Sequence, residues 1–189
     1  MRLFFALPLP PEAKERLRPI LEAARQAGGE GVSFTKLEQL HFTLAFLGEQ
    51  PDAKEAASAG EVLRESRAFE LAISGVGAFP NTLRPRVLWL GVSAGAAELM
   101  ETAERLRGEL RRRGFQIEER KFQPHLTLGR VRPRGEKLAK RALAAVAPGE
   151  FARWGAGEAS LVKSVLGRGG ATHTVERAYP FAPAAAGKR

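Results

Sequence analysis

His41-Phe42-Thr43-Leu44-Ala45-Phe46-Leu47-Gly48 recurs further along the chain as His125-Leu126-Thr127-Leu128-Gly129-Arg130-Val131. The shared core is His-x-Thr-Leu, and the two copies begin at 41 and 125, 84 residues apart. Each follows a polar stretch and carries the alternating pattern of a strand. Successive side chains of a strand point to opposite faces. His41 and Thr43 therefore share one face, as do His125 and Thr127. Phe42, Leu44, Leu126 and Leu128 point the other way, into apolar packing. If the two halves pack about a pseudo-twofold axis, two imidazole–hydroxyl pairs face each other across a cleft.

Outward from these motifs, helices and strands alternate. Leu3–Leu7 reads as a strand ended by prolines, and Pro11 suits the first turn of a helix. Leu17, Ile20, Leu21 and Ala24 recur at helical spacing, with Pro19 expected to kink or break that helix. Pro51-Asp52 opens a helix to about Arg67. Phe69, Leu71 and Ile73 alternate as a strand, Gly75 to Pro85 reads as a turn-rich loop, and Val87–Val92 as a further strand. Ala96, Leu99, Met100, Ala103, Leu106 and Leu110 outline an amphipathic helix closed by Arg111-Arg112-Arg113-Gly114. Phe115 and Ile117 alternate again, and His125–Val131 is the second motif strand. Leu138, Ala142, Ala145 and Val146 mark a last helix. Ser160–Leu166 and Thr172–Phe181 are closing strands, with Gly167–Gly170 as their hairpin loop and residues 182–189 as a frayed tail. The strand runs are too mixed in polarity for a doubly wound parallel sheet. The expectation is an α+β fold of antiparallel sheets with helices packed outside, in one domain over 1–189.

Composition narrows the chemistry. Cysteine is absent among 189 residues, which excludes disulfides, thiol catalysis and Cys-ligated metals. Aspartate occurs once, at Asp52, which argues against paired-Asp sites. No apolar run reaches the roughly 18 residues of a membrane span, so a soluble, cytoplasmic protein without membrane contact is expected. The net charge is +9. Residues 105–141 hold 13 Lys/Arg against 4 Glu, while the remainder holds 17 of each sign. One basic segment on a neutral body points to a polyanionic partner, nucleic acid above all.

Two imidazoles and two hydroxyls suit phosphodiester cleavage without a metal. In-line displacement needs a base on the incoming oxygen and an acid on the leaving one. Histidine serves in either role near neutral pH, and threonine hydroxyls can hold the non-bridging oxygens. Other readings compete. A lone His-x-Thr is more often a structural histidine on a half-buried strand. His41, His125 and His173 could form a three-histidine zinc site, but that leaves the recurring threonines unexplained. Gly91-Val92-Ser93-Ala94-Gly95 matches a nucleophile elbow, yet reads first as a tight strand-to-helix turn. A non-catalytic RNA-binding module is a further alternative.

On the paired motifs the sequence resembles the two-histidine (2H) phosphoesterases. Among them it is most similar to the RNA 2′,3′-cyclic phosphodiesterases, also known as 2′-5′ RNA ligases or LigT-like proteins. The resemblance extends to Leu3-Phe4-Phe5-Ala6-Leu7, Gly75-Val76-Gly77-Ala78-Phe79-Pro80, Arg86 to Val92 and Phe122-Gln123-Pro124-His125. It implies a bilobal pseudo-twofold arrangement of two antiparallel sheets flanked by helices around a central cleft, a single domain of two interleaved lobes. It implies hydrolysis of RNA 2′,3′-cyclic ends to 2′-monoesters by a monomer needing no cofactor or metal, and reversible 2′-5′ joining of tRNA halves. By resemblance His41 is the acid, His125 the base, and Thr43 and Thr127 bind phosphate. A 2H enzyme for small cyclic nucleotides is the neighbouring alternative. Arg130 and Phe46 share an offset five residues beyond each histidine. In an ideal strand both point away from the cleft, and a bulge near Gly129 would return Arg130 to the phosphate. Phe46 is a candidate for base stacking, though a strand aromatic is more often core. His173 stands where relatives carry an aromatic and is a second stacking candidate.

Overall fold

The computed structural model describes residues 1–167 and 170–184. In chain order its elements are β1 (Arg2–Pro8), α1 (Pro11–Gly28), β2 (Val32–Phe34), β3 (His41–Glu49), α2 (Lys54–Ala59), β4 (Phe69–Phe79), β5 (Val87–Ala94), α3 (Ala96–Arg112), β6 (Leu126–Val131), α4 (Glu136–Ala144), β7 (Glu150–Ala156), β8 (Glu158–Gly167) and β9 (Gly170–Pro180). One sheet has the order β3-β1-β8-β9 and the other β2-β6-β5-β4-β7. Every pairing within them is antiparallel. Leaving aside β2, the two orders correspond, each starting at a motif strand. This is the expected α+β architecture of two antiparallel sheets.

The halves of the chain are crossed. β8, from the end of the chain, lies beside β1 in the first sheet, and β4 from the first half lies beside β5 in the second. The helices cross too. α1 follows β1 but packs on β7 and α4, and α3 follows β5 but packs on β3. One continuous core results. Leu3, Phe5 and Leu7 of β1, Phe42 and Leu44 of β3, Leu88 and Leu90 of β5, and Leu126 and Leu128 of β6 enter it together. Leu17 and Leu21 of α1 and Leu99, Leu106 and Leu110 of α3 cover them. Burying each of these side chains stabilises the fold by about 1.5–3 kcal/mol. On the opposite face of the first sheet, Phe4, Ala6 and Val162 form a small separate cluster.

Several expectations need correction. Of the two outcomes expected at Pro19, a kink or a break, the break does not occur, since α1 runs through it; Pro19 is exposed, so water can satisfy the carbonyl it frees. The helix expected from 51 to 67 is α2 followed by a 3-10 stretch, Gly60–Glu65. The loop expected from Gly75 shrinks to 80–86, because Gly75 (φ 72°) makes a bulge within β4 instead of a turn. Phe115 and Ile117 are not in a strand; they lie in irregular chain, partly buried against the core. The place beside β6 is taken by β2, which composition did not reveal, and β7 was likewise unforeseen. Arg168 and Gly169 of the expected hairpin loop, and residues 185–189 of the tail, lie outside the described residues. No helix among the described residues is long and apolar enough to cross a membrane.

Candidate active site

The site is built from two near-copies of one local structure. His41 opens β3, and its Nδ1 lies 2.7 Å from the Gln39 carbonyl. His125 stands one residue ahead of β6, with Nδ1 2.7 Å from the Gln123 carbonyl. A carbonyl only accepts, so Nδ1 carries the proton in both rings and Nε2 presents its lone pair. In the first copy that lone pair meets the Thr43 hydroxyl at 3.1 Å. A glutamine thus precedes each histidine by two residues. The repetition is visible in the sequence, but what it supplies is a main-chain oxygen.

Both motif strands then bulge at the same place. Thr43 pairs with Ala6 and Ala45 with Phe5, which leaves Leu44 unmatched. Thr127 pairs with Trp89 and Gly129 with Leu88, which leaves Leu128 unmatched. The extra residue reverses the alternation beyond it. Leu44 and Ala45 are both buried, and Phe46 emerges 50% exposed, its ring 5.7 Å from Phe4. Leu128 and Gly129 are both buried, and Arg130 emerges exposed. A Cβ at Gly129 would stand 2.8 Å from the Ser33 carbonyl, so this bulge needs glycine. Phe46 and Arg130 are therefore returned to the faces of Thr43 and Thr127. Phe46 is not a core residue.

Around His41 gather Phe4 at 5.0 Å and His173 at 5.5 Å between ring centroids, with His173 also 5.1 Å from Phe4. His125 packs edge-on against Phe79 at 4.9 Å, and Phe79 touches Trp89. Phe4, Phe79 and Trp89 were not singled out from the sequence. Their outward positions on β1, β4 and β5 follow from registers that only strand pairing defines. The sheets meet through their motif strands, β3 packing against β6.

Burial keeps both rings neutral at ordinary pH. It pushes His41 down to about 4, against the raising effect of the Gln39 carbonyl; the neighbouring His173 and Lys14 depress it further. Burial also lowers His125, opposed by the Gln123 carbonyl, with Arg130 lowering and Glu118 raising it. His173 is lowered by burial. His41 and His173 are neighbours, but among the described residues no three His, Asp or Glu side chains gather into a metal-ligand set.

Two other sequence features resolve. Ser93 lies on β5 with its hydroxyl 3.5 Å from the Ala72 carbonyl and, among the described residues, no histidine hydrogen-bonded to it; Gly95 caps α3, so the motif is a strand-to-helix turn. The basic segment divides in two. On α3 and at its C-terminal end, Arg105, Arg107, Arg111, Arg112 and Arg113 pair with Glu65, Glu101, Glu104 and Glu109. Among the described residues Lys121, Arg130, Arg132, Arg134 and Lys137 form no ion pair. Within the basic segment, the cations left without a carboxylate therefore lie around the second motif and not on α3.

The LigT like Phosphoesterase family model matches this chain twice in succession, over residues 7–89 and 90–173. An RNA 2′,3′-cyclic phosphodiesterase of Thermotoga maritima is 38% identical over 143 residues, covering 74% of this chain and 75% of that one. The crystal structure of TT0787 of Thermus thermophilus is similar with a TM-score of 0.78 and 29% identity, over 95% of this chain and 97% of that one. The structure of E. coli LigT complexed with 3′-AMP is similar at 0.74 and 28%, over 95% and 97%. Each half of the chain, with its own His-x-Thr-Leu strand, matches in turn, and the chain belongs to the LigT-like phosphoesterase family.

Proposed function

We propose that this protein opens the 2′,3′-cyclic phosphate at an RNA end to a 2′-phosphomonoester, with His41 and His125 as general acid and base and no metal. The observation that carries the reading is the duplicated histidine: each Nδ1–H is tied to the carbonyl two residues back, which leaves each Nε2 as the reactive nitrogen, that of His41 against the Thr43 hydroxyl. The relatives' printed activity supplies the substrate class. His125 Nε2 takes a proton from water as its oxygen attacks phosphorus. The P–O3′ bond breaks, and His41 Nε2–H gives its proton to O3′. Thr43, Thr127 and Arg130 hold the non-bridging oxygens. With a 5′-hydroxyl in place of water, the same displacement joins two RNA ends through a 2′-5′ bond. Phe46 and His173, on the His41 side, are proposed to stack on the terminal base.

The test is incubation of a cyclic-ended RNA oligonucleotide with the protein in excess EDTA. The expected product is the 2′-monoester, at a rate unchanged by chelator. Absence of product, or loss of turnover in EDTA that added metal restores, overturns the proposal. Cyclic mononucleotides are expected to turn over more slowly than oligomers, because only the longer strand reaches the unpaired cations of 121–137; salt should narrow the gap.

A pH profile checks the proton inventory. Turnover needs one proton on the pair. In the free enzyme both rings titrate below the ordinary 6.5, His41 near 4. Above pH 6.5 the free pair is therefore deprotonated, and kcat/KM should fall about tenfold per pH unit. A bound phosphate anion favours imidazolium, so the corresponding limb of kcat should lie at higher pH. A kcat/KM that rises between pH 7 and 9 would contradict this.

A further inference from the structure

His125 is not on the strand that carries Thr127. β6 begins at Leu126, and residues 115–125 form no ladder with any strand. A ring at the end of irregular chain must have its orientation set from a rigid neighbour, and α3 supplies one. Arg107 is 5% exposed, and its Nη2 donates to the Glu118 carbonyl at 2.5 Å and the Arg120 carbonyl at 2.6 Å. Its Nε lies 3.6 Å from Glu104 Oε1. That same oxygen accepts the Phe122 N–H at 3.3 Å. The Phe122 ring is anchored in the core, and the next residue, Gln123, gives the carbonyl that holds His125 Nδ1. A buried guanidinium is costly unless its hydrogen bonds are met. Here Nη2 meets two main-chain carbonyls of the segment leading to the catalytic ring, while the buried Nε has, among the described residues, no hydrogen-bond partner and only the Glu104 carboxylate at 3.6 Å.

The corresponding helix of the other half repeats the device. Lys14 of α1 donates from Nζ to the Glu38 carbonyl at 2.7 Å. Glu38 lies in the 3-10 turn Leu37–Gln39, and the Gln39 carbonyl holds His41 Nδ1. One helix-borne cation thus grips each segment just upstream of a histidine.

We propose that Arg107 is a positioning residue for His125 and Lys14 for His41. Each fixes, through main-chain carbonyls, the segment whose own carbonyl sets the tautomer and angle of the ring. The proposal rests on the reading of His41 and His125 as the acid–base pair. A displacement of about 1 Å at a reacting group can cost about 100-fold in rate, so small losses of shape should register in kcat.

The test combines steady-state kinetics on the cyclic-ended oligonucleotide with 15N spectra of the histidine rings. Arg107→Met should lower kcat about 10- to 100-fold with KM changed less than about threefold. It should move the His125 nitrogens away from the Nδ1–H pattern and leave those of His41 in place. Lys14→Met should do the converse at His41. Arg107→Lys, which keeps a donor, should recover part of the lost kcat. A folded Arg107→Met variant with wild-type kcat and an unchanged His125 spectrum overturns the proposal. If Arg107→Met does not fold, Glu104→Ala decides, since that half-exposed carboxylate holds the Phe122 N–H: lower kcat with a shifted His125 spectrum supports the proposal, and no change in either overturns it. A KM effect without a kcat effect in Lys14→Met overturns its half. His125→Ala is the control. If it keeps full turnover, the acid–base reading has failed. If it is inactive while the Arg107 and Glu104 variants match wild type, only the positioning role falls.

Discussion

Replacing either His41 or His125 with alanine should lower kcat on a cyclic-ended RNA at least about 100-fold, within the 10²–10⁴ range of general acid–base catalysis. The two losses should be of similar size. Each ring has the same support, an Nδ1–H held at 2.7 Å by the carbonyl two residues earlier. Removing one leaves either the attacking water or the departing O3′ without its proton partner, and the other ring cannot fill both places. The double variant should therefore fall little below the worse single one, because groups that act as a unit are not additive. His41 opens β3 and His125 precedes β6, and both are partly exposed and outside the buried core, so the variants should keep wild-type circular dichroism. The variants should also part company in pH dependence. His41→Ala removes the more strongly depressed titration, and His125→Ala removes the other. Folded single variants with turnover within a factor of a few of wild type would end the two-histidine mechanism.

Arg130→Ala should lower kcat/KM about 10²–10³-fold, the loss typical of one preorganised donor to a developing oxyanion. The bulge at Leu128 turns this guanidinium onto the Thr127 face, where its charge already depresses His125. Among the described residues it has no carboxylate partner, so its hydrogen-bond donors are free for phosphate oxygens. Arg130→Lys keeps the charge but loses the planar fork and should recover only part of the rate. Removing the cation also relieves the pressure on His125, so its titration should move upward in Arg130→Ala. A kcat/KM close to wild type, or an unmoved His125 titration, would show that Arg130 faces solvent instead of substrate.

The duplicated motif made much of this legible before any coordinates. Alternation alone placed Phe42, Leu44, Leu126 and Leu128 in the core and set each threonine beside its histidine. The α+β layout followed from polarity patterns. The rest depended on relations between strands. Whether Phe46 or Arg130 joins the site is decided by which residue of β3 or β6 goes unmatched, and that lies in the pairing with β1 and β5. Gly75 looked like a turn because a bulge and a turn need the same backbone freedom. β2 is three residues long, and β7 (Glu-Phe-Ala-Arg-Trp-Gly-Ala) shows no regular alternation of buried and exposed positions, so neither leaves a pattern to detect. The grips on Gln39 and Gln123 are main-chain oxygens, which leave no mark on residue type. Arg107 looked like one more cation in a basic run, although its burial sets it apart from Arg111 and Arg112.

The crossed assembly bears on how such a molecule could have arisen. The first sheet closes only when β8 from the far end of the chain docks on β1, and each half's long helix shields the other half's strands. A half-length ancestor with a single motif would have exposed an open sheet edge and a bare apolar face. Two copies exchanging strands and helices would have covered both at once. Gene fusion would then have joined partners that already depended on each other, leaving the two motif strands free to diverge, as Phe46 and Arg130 now differ at the same offset.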